Sequence, residues 1–389
     1  MKRKQLYIAT SIVAIFIYGC ADGGSRTSDM PVVSVQEITL SNDISDVVRI
    51  DGLTLLEESD GSFLIHPDKA FVLPDGSVIF KDKGHRILKF SAGGEFLGTI
   101  GKRGRGPQEY NLCRDISLSP DGKELSVMDL GGIVTYDASD GSFLRKISIP
   151  QHNYDEFCYA EDGGYFLFSA SPDMEDYSDA TGHDVLTRIS PEGEAICSCL
   201  PRKDFILNTE LFTRSCKGSI FLRTLEGENI LYEIDGNDIR PVLQIDFGSL
   251  QSPEGYLSDN GVMNMQRYIE SRYYKMAMSF HDTENSIYFE CMGPRGSDIH
   301  YVIRPDGKAV CSWKSPDNDP SPSLVLASDT KSFYVLVFDP EGKAATASSG
   351  DKTLEDMNPV DRAVIMEMKS KGKAPNGNPL LARISFPVQ

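Results

Sequence analysis

The feature that most limits how this chain can fold is a short sentence of strands and turns that it repeats. Residues 70–100 read AFVLPDGSVIFKDKGHRILKFSAGGEFLGTI, in which four apolar pieces (AFVL, SVIF, RILKF, FLGTI) are parted by PDG, DKGH and AGG. Each piece has strand length, is rich in Val, Ile and Phe, and is bounded by turn residues. The glycines of PDG and AGGE supply the positive φ that tight hairpins require.

The sentence then recurs. Residues 115–148 give DISL, SPDG, ELSVMDL, GG, IVTYDA, SDG, SFLRKI. Residues 212–247 repeat it, 156–201 and 274–314 repeat it with insertions, and 323–386 gives SLVLA, SFYVLVF and, after a long insertion, LLARISF. Where no insertion intervenes the spacing between turns is similar: Gly76 to Gly94, Gly122 to Gly141, Gly218 to Gly236. Units of about 40–50 residues with four short strands each are the mark of a β-propeller. Five units are complete and the sixth has only three strands. A ring must hide its sheet edges, so the missing strand is expected from the N-terminus. VVSVQEITL (32–40) and VVRIDGLTLLE (47–57) both qualify. The expected fold is all-β: a six-bladed β-propeller of four-stranded antiparallel blades, closed by an N-terminal strand, with two helical insertions. One insertion is VMNMQRYIESRYY (262–274), apolar at 262, 265, 269 and 273, near a 3.6-residue period. The other is NPVDRAVIMEMKSKG (358–372), with Asn358 as N-cap, Pro359 in the first turn and Gly372 as stop.

The first residues read as a processing signal. MKRK is followed by an apolar run from Leu6 to Tyr18, the length of a signal-peptide core and too short to span a bilayer. It ends in Ile17-Tyr18-Gly19-Cys20, which resembles the lipobox of bacterial lipoproteins, where the cysteine is lipidated. The domain expectation is a signal peptide over 1–19, a flexible tether over 20–31 (ADGGSRTSDMP after Cys20), and the propeller over 32–389. The chain has 389 residues and a formal net charge of −18. A surface this acidic repels polyphosphate, which argues against a nucleic-acid partner. Of eight cysteines, seven remain if Cys20 carries lipid, an odd number that cannot all pair. Most are expected to be small buried apolar residues. Cys197 and Cys199, two apart in a strand, share a face and cannot easily bridge each other.

Residues 72–110 also follow the NHL-repeat pattern, with Asp82 ending a strand, then Arg86-Ile87, Phe90, Gly94, Phe96 and Gly101. Together with the lipobox, the N-terminal closing strand and the loop GKRGRGPQEY (101–110), this resembles the lipid-anchored six-bladed β-propeller proteins of Bacteroides and their relatives. That family usually carries GPGEY; here Gln108 stands in the second glycine's place. The resemblance implies an envelope lipoprotein anchored to the outer membrane, its side of the membrane open. It implies no set activity, since function belongs to sites and not to folds.

In such a blade the A–B and C–D turns lie on one face of the ring and the B–C and D–A loops on the other. PDG, SPDG, EDGG, AGGE, SDG and DGND all fall on the first face, and the insertions 172–183, 202–211, 248–273, 294–299, 315–322 and 340–379 on the second. The loop-rich face is therefore the expected working face. GKRGRGPQEY is the D–A connection between blades 1 and 2. It is not a phosphate loop, because no helix follows it and it lacks Gly-Lys-Ser/Thr. It reads either as a structural corner with Glu109 paired to an arginine, or as a site where Arg103 and Arg105 meet an anionic ligand. His85, Arg86, Tyr110 and Arg295 are the candidate neighbours on that face.

Catalytic signals are thin. His85 and His183 map to B–C loops, His300 starts a C strand on the same face, and His281 falls at the tight-turn end. No two histidines are spaced as ligands, no CxxC occurs, and no GxSxG elbow is present. The 57 carboxylates could serve calcium, though no DxDxDG-like loop occurs. The leading expectation is a non-enzymatic binding propeller without a cofactor, its partner a small anionic molecule, a glycan or an envelope protein. The alternative is a calcium- or zinc-dependent hydrolase or lyase on the same fold.

Overall fold

The computed structural model describes residues 30–387 except 42–43, 45–46, 150–153, 170–182, 203–210, 224–228, 237, 254–255, 257, 260–261, 275–276, 295–297, 317–323, 339–353, 355–356 and 373–376. The hairpins expected from the turns are present. Gly76, in the PDG turn, sits at φ 81°, a conformation glycine adopts without strain. The peptide before it closes the turn, with the Gly76 amide donating to Leu73 O at 2.9 Å.

Two N-terminal strands, β1 (Val32–Ser34) and β2 (Arg49–Leu55), precede the blades. Blade 1 is β3 (Pro67–Val72), β4 (Val78–Asp82), β5 (Ile87–Phe90) and β6 (Phe96–Thr99). Blade 2 is β7 (Asp115–Leu118), β8 (Glu124–Asp129), β9 (Gly132–Asp137) and β10 (Phe143–Ser148). Blade 3 is β11 (Glu156–Tyr159), β12 (Tyr165–Phe168), β13 (His183–Ile189) and β14 (Ala195–Arg202). Blade 4 is β15 (Phe212–Arg214), β16 (Ile220–Arg223), β17 (Ile230–Asp235) and β18 (Asp238–Asp246). A short hairpin, β19 (Ser258–Asp259) and β20 (Val262–Met263), leads into helix α1 (Met265–Glu270). Blade 5 follows as β21 (Ala277–Asp282), β22 (Ile287–Met292), β23 (Asp298–Ile303) and β24 (Ala309–Lys314). Blade 6 holds β25 (Leu324–Ser328), β26 (Phe333–Val337), helix α2 (Pro359–Ser370) and β27 (Leu380–Ser385).

The N-terminal question resolves in favour of the second segment. β2 lies antiparallel to β27, from Arg49↔Ser385 to Leu55↔Leu380, and supplies the fourth strand of blade 6. β1 does something else: it adds a fifth, parallel strand outside β18, with Val33 opposite Ile245. The chain start thus ties down two separate blades. Blade 6 also meets blade 1 at this seam. The Glu57 amide donates to Gly94 O at 2.8 Å, and a Cβ on Gly94 (φ 91°) would come within 2.1 Å of Leu55 O. Only glycine fits where the blade 1 C–D turn abuts the closing strand.

Both helical insertions contain helix, with different outcomes. α2 begins as expected: the Asn358 side chain accepts from the Asp361 amide and Pro359 opens the first turn. Val360, Val364, Ile365 and Met368 are buried against blade 6 with Val335, Leu380 and Ile384, so this insertion is part of the core. The first insertion is helical only over six residues, because Val262 and Met263 pair with Ser258 and Asp259 as a hairpin. Between blades the core is apolar and aromatic, as in Ile79, Ile116, Val127 and Tyr136 at the seam of blades 1 and 2. The described cysteines form no disulfide, and Cys113, Cys158 and Cys291 are buried.

Candidate functional site

The loop 101–110 is held by its own atoms. The Gly104 amide donates to Tyr110 O at 2.9 Å and the Tyr110 amide to Lys102 O at 3.2 Å. The Glu109 carboxylate accepts from the Gly106 amide at 2.9 Å, and that bond, with Lys102, keeps its pKa below the ordinary value. Glu109 pairs with Lys102 at 3.4 Å, so the carboxylate of this corner goes to the lysine and leaves both arginines. Arg103 is exposed and donates from Nε to Asn111 O at 3.1 Å. Arg105 is exposed and makes no side-chain hydrogen bond or ion pair among the described residues. Beside the loop lies a shallow cavity of about 410 Å³ lined by Lys102, Gln108, Glu109, Tyr136 and Phe143.

The neighbouring candidates are mostly occupied with holding this corner. Tyr110 is buried and its hydroxyl donates to His85 O at 3.1 Å; its ring meets Tyr136 edge-on. His85 Nδ1 lies 3.0 Å from Cys113 O. Arg86 donates Nε at 3.1 Å and Nη2 at 2.6 Å to Asp82, which is wholly buried, and it also reaches Phe63 O. The structure therefore brings Arg103, Arg105, Tyr110, His85 and Arg86 to one corner, with the two loop arginines left to solvent. Arg295 and Cys20 lie outside the described residues.

A larger cavity lies at the opposite end of the channel. About 570 Å³ of space opens where the A–B turns gather, bounded by Pro74 and Gly76, Pro120 to Gly122, Cys216 and Gly218, and Asp329 and Thr330. Its deeper wall is made by the inner strands β3, β15, β21 and β25 through Ala70, Phe212, Arg214, His281 and Leu326. Arg214 is held by two carbonyls, Gly218 O at 2.9 Å and Tyr159 O at 3.3 Å. Burial works against its charge. His281 is 2% exposed, and neither ring nitrogen has a hydrogen-bond partner. Burial lowers its pKa to about 4; the Val325 backbone opposes this weakly without reaching hydrogen-bond geometry.

The third polar cluster is inside blade 5. His300 is fully buried, bridged by Tyr288 O–H at Nδ1 and Ser315 Oγ at Nε2, each at 2.8 Å, and stacked on Trp313. Burial drops its pKa to about 3. Glu290 beside it is pushed up to about 8 by burial and by the negative Asp298. Among the described residues no group of three His, Cys, Asp or Glu side chains gathers to hold a metal. None of their helices is long and apolar enough to cross a membrane.

Sequence reasoning placed His281 at the tight-turn end, where it is, but did not single out Arg214 or the cavity. His183 opens β13 and so begins a strand where a B–C loop was expected. No linear signal marks Arg214, since FTRS reads as any short strand; its position matters only once five blades surround it.

Fold and topology define a closed six-bladed β-propeller. The chain belongs to the family described as domain of unknown function DUF4934, whose profile matches residues 34–366. It is similar to the solved structure of a candidate exported protein of Bacteroides fragilis NCTC 9343. That match has a TM-score of 0.69 and 14% identity, and covers 92% of this chain and 100% of the other. It is also similar to a DUF4221-family member of Bacteroides vulgatus, with a TM-score of 0.55 and 13% identity, covering 89% of this chain and 100% of that one. No curated protein matches it.

Proposed function

We propose that this chain is an envelope lipoprotein, anchored to the outer membrane through lipid on Cys20, whose NHL-like propeller binds a small anion and catalyses no reaction. Arg105 carries the reading. It is an exposed guanidinium without a partner among the described residues, on a loop that Glu109 and Lys102 already fix. A preorganised loop loses little freedom when it captures a ligand, and a guanidinium fork suits a carboxylate or phosphate. Arg103 stands next to it with only a carbonyl partner. The anion could belong to a free molecule, a glycan or an envelope protein. The short apolar run ending at Gly19-Cys20 supports export and lipidation, as does the likeness to a candidate exported protein. The role needs no cofactor.

Titration of the detergent-solubilised protein with citrate tests the binding. Arg103→Ala/Arg105→Ala is expected to weaken it by about ten-fold or more, and equal binding by the variant would remove the proposal. A stoichiometric calcium or zinc ion whose removal abolishes a hydrolase or lyase activity would replace binding by catalysis.

A further inference from the structure

We infer that the central cavity at the tight-turn end is a second binding site, built for a small carboxylate with an apolar body. The site is independent of the loop 101–110, which lies at the other end of the channel.

The size fits. A cavity of about 570 Å³ lies within the range of about 300–1,000 Å³ typical of small-molecule sites. Ala70, Val72, Leu118, Phe212 and Leu326 make most of the wall apolar.

The charges narrow the class. Two cations line the cavity, Lys69 and Arg214. Lys69 is neutralised by both oxygens of Asp115, at 2.8 and 3.0 Å. Arg214 has no carboxylate within ion-pair distance among the described residues; Glu161 favours its charge only from longer range, and its two carbonyl contacts use two of its five N–H donors. The acidic residues at the rim are already served. Asp121 takes Ser119 and Lys123, and Asp329 takes Tyr334 O–H and the amides of Lys331 and Ser332. Arg214 is thus the cation of the wall without an ion pair, and its remaining N–H donors suit a carboxylate brought by a ligand.

His281 gives the second, independent sign. A buried imidazole is ordinarily hydrogen-bonded, and an orphaned one is costly. Here both nitrogens lack partners and are closed to water-sized contact, in a residue that lines the same cavity as a guanidinium with no ion pair. A neutral ring offers one N–H to a carboxylate oxygen, while Arg214 balances the charge.

The test is titration of the detergent-solubilised full-length protein with benzoate, followed by calorimetry and by the His281 ring signals in NMR. Saturable binding is expected, with the His281 signals shifting as sites fill. Benzyl alcohol, which lacks the charge, and inorganic phosphate, which lacks the apolar body, should each bind about ten-fold or more weakly. Arg214→Gln should lower benzoate affinity by a similar factor. His281→Phe, which keeps ring shape and removes the orphaned nitrogens, should weaken benzoate while raising the melting temperature. If Arg214→Gln fails to fold, His281→Phe and the NMR titration decide. Absence of saturable benzoate binding, equal binding of benzyl alcohol or phosphate, or unchanged affinity in the variants would each overturn the site.

Discussion

Lys69 and Asp115 grip each other across the seam between the innermost strands of blades 1 and 2, with side chains only 9% and 6% exposed. Asp115 does more than neutralise the lysine, because its Oδ2 also accepts the Phe157 amide of blade 3 at 3.0 Å. One carboxylate thus joins three consecutive blades. Removing one partner of a buried pair strands the other charge, at about 3–5 kcal/mol. Asp115→Leu should therefore destabilise the ring by that order, measured by urea denaturation. Lys69→Met should cost less, since Asp115 keeps the Phe157 amide. The double variant should recover part of the Asp115→Leu loss; a double variant no better than the sum of the singles would show that the pair is not coupled.

The two N-terminal strands should differ sharply in what their loss costs. β2 pairs with β27 along its whole length and covers the edge of blade 6. A chain lacking residues 21–57 is expected to lose cooperative folding, seen as a broad or absent thermal transition. A chain lacking only 21–37 loses β1 and the buried Val33 and Val35, about 1.5–3 kcal/mol for each side chain, but keeps the closing strand. It should melt cooperatively at a lower temperature. Equal melting of the longer deletion and the intact chain would show that β2 does not close the ring.

Much of this architecture could be read from the turns. PDG, SPDG and AGG fixed the strand count, and Asn358-Pro359 announced α2 at its true start. What the sequence could not choose was which N-terminal segment closes the ring. Both are apolar and strand-like, and the choice depends on pairing with β27, more than 300 residues later. The helical period over 262–274 was overridden by a local hairpin. The loop corner was legible as glycine-rich and basic, yet its carboxylate pairs with Lys102 where an arginine was expected. The cavity was illegible for a plainer reason: Lys69, Arg214, His281 and Tyr334 lie far apart in sequence, and only ring closure brings them to one wall.

Buried histidines and a buried carboxylate give stability an optimum in pH. His281 and His300 titrate at about 4 and about 3 in the folded protein because of burial. An unfolded histidine titrates at about 6.5. Between these values the unfolded chain binds more protons, so stability falls as pH drops below about 6.5, by roughly 1.4 kcal/mol per pH unit for each histidine. Glu290 works the other way. Burial, then Asp298, raise it from 4.5 to about 8 against the opposing pull of Tyr288 and Arg223. The folded protein keeps a proton that the unfolded chain has lost, so stability falls as pH rises from 4.5 towards about 8. Urea midpoints should peak near about pH 6.5. Glu290→Gln should remove the alkaline decline while leaving the acid decline intact. A variant with the same alkaline slope as the parent would exclude Glu290 as its source.

Within a few residues the loop 101–110 divides side chains that hold its shape from two arginines left exposed. Glu109 accepts the Gly106 amide and pairs with Lys102, and its carboxylate occupies the space a Gly104 Cβ would need, at 1.9 Å. Tyr110 packs beneath, its hydroxyl on His85 O. These residues form the corner, whereas Arg103 and Arg105 project from it. Arg103→Ala/Arg105→Ala should therefore leave folding stability within about 0.5 kcal/mol, the usual range for surface changes, while citrate binding falls. Tyr110→Phe keeps the ring and removes one buried hydrogen bond, about 0.5–1.5 kcal/mol. Gly104→Ala should displace Glu109 and weaken citrate binding although no arginine is changed, because the loop that presents them shifts. A thermal melt beside each titration separates the two roles. A large drop in melting temperature for the double arginine variant would make the arginines part of the corner. Unchanged citrate binding in Gly104→Ala would show that the loop's shape does not matter to its ligand.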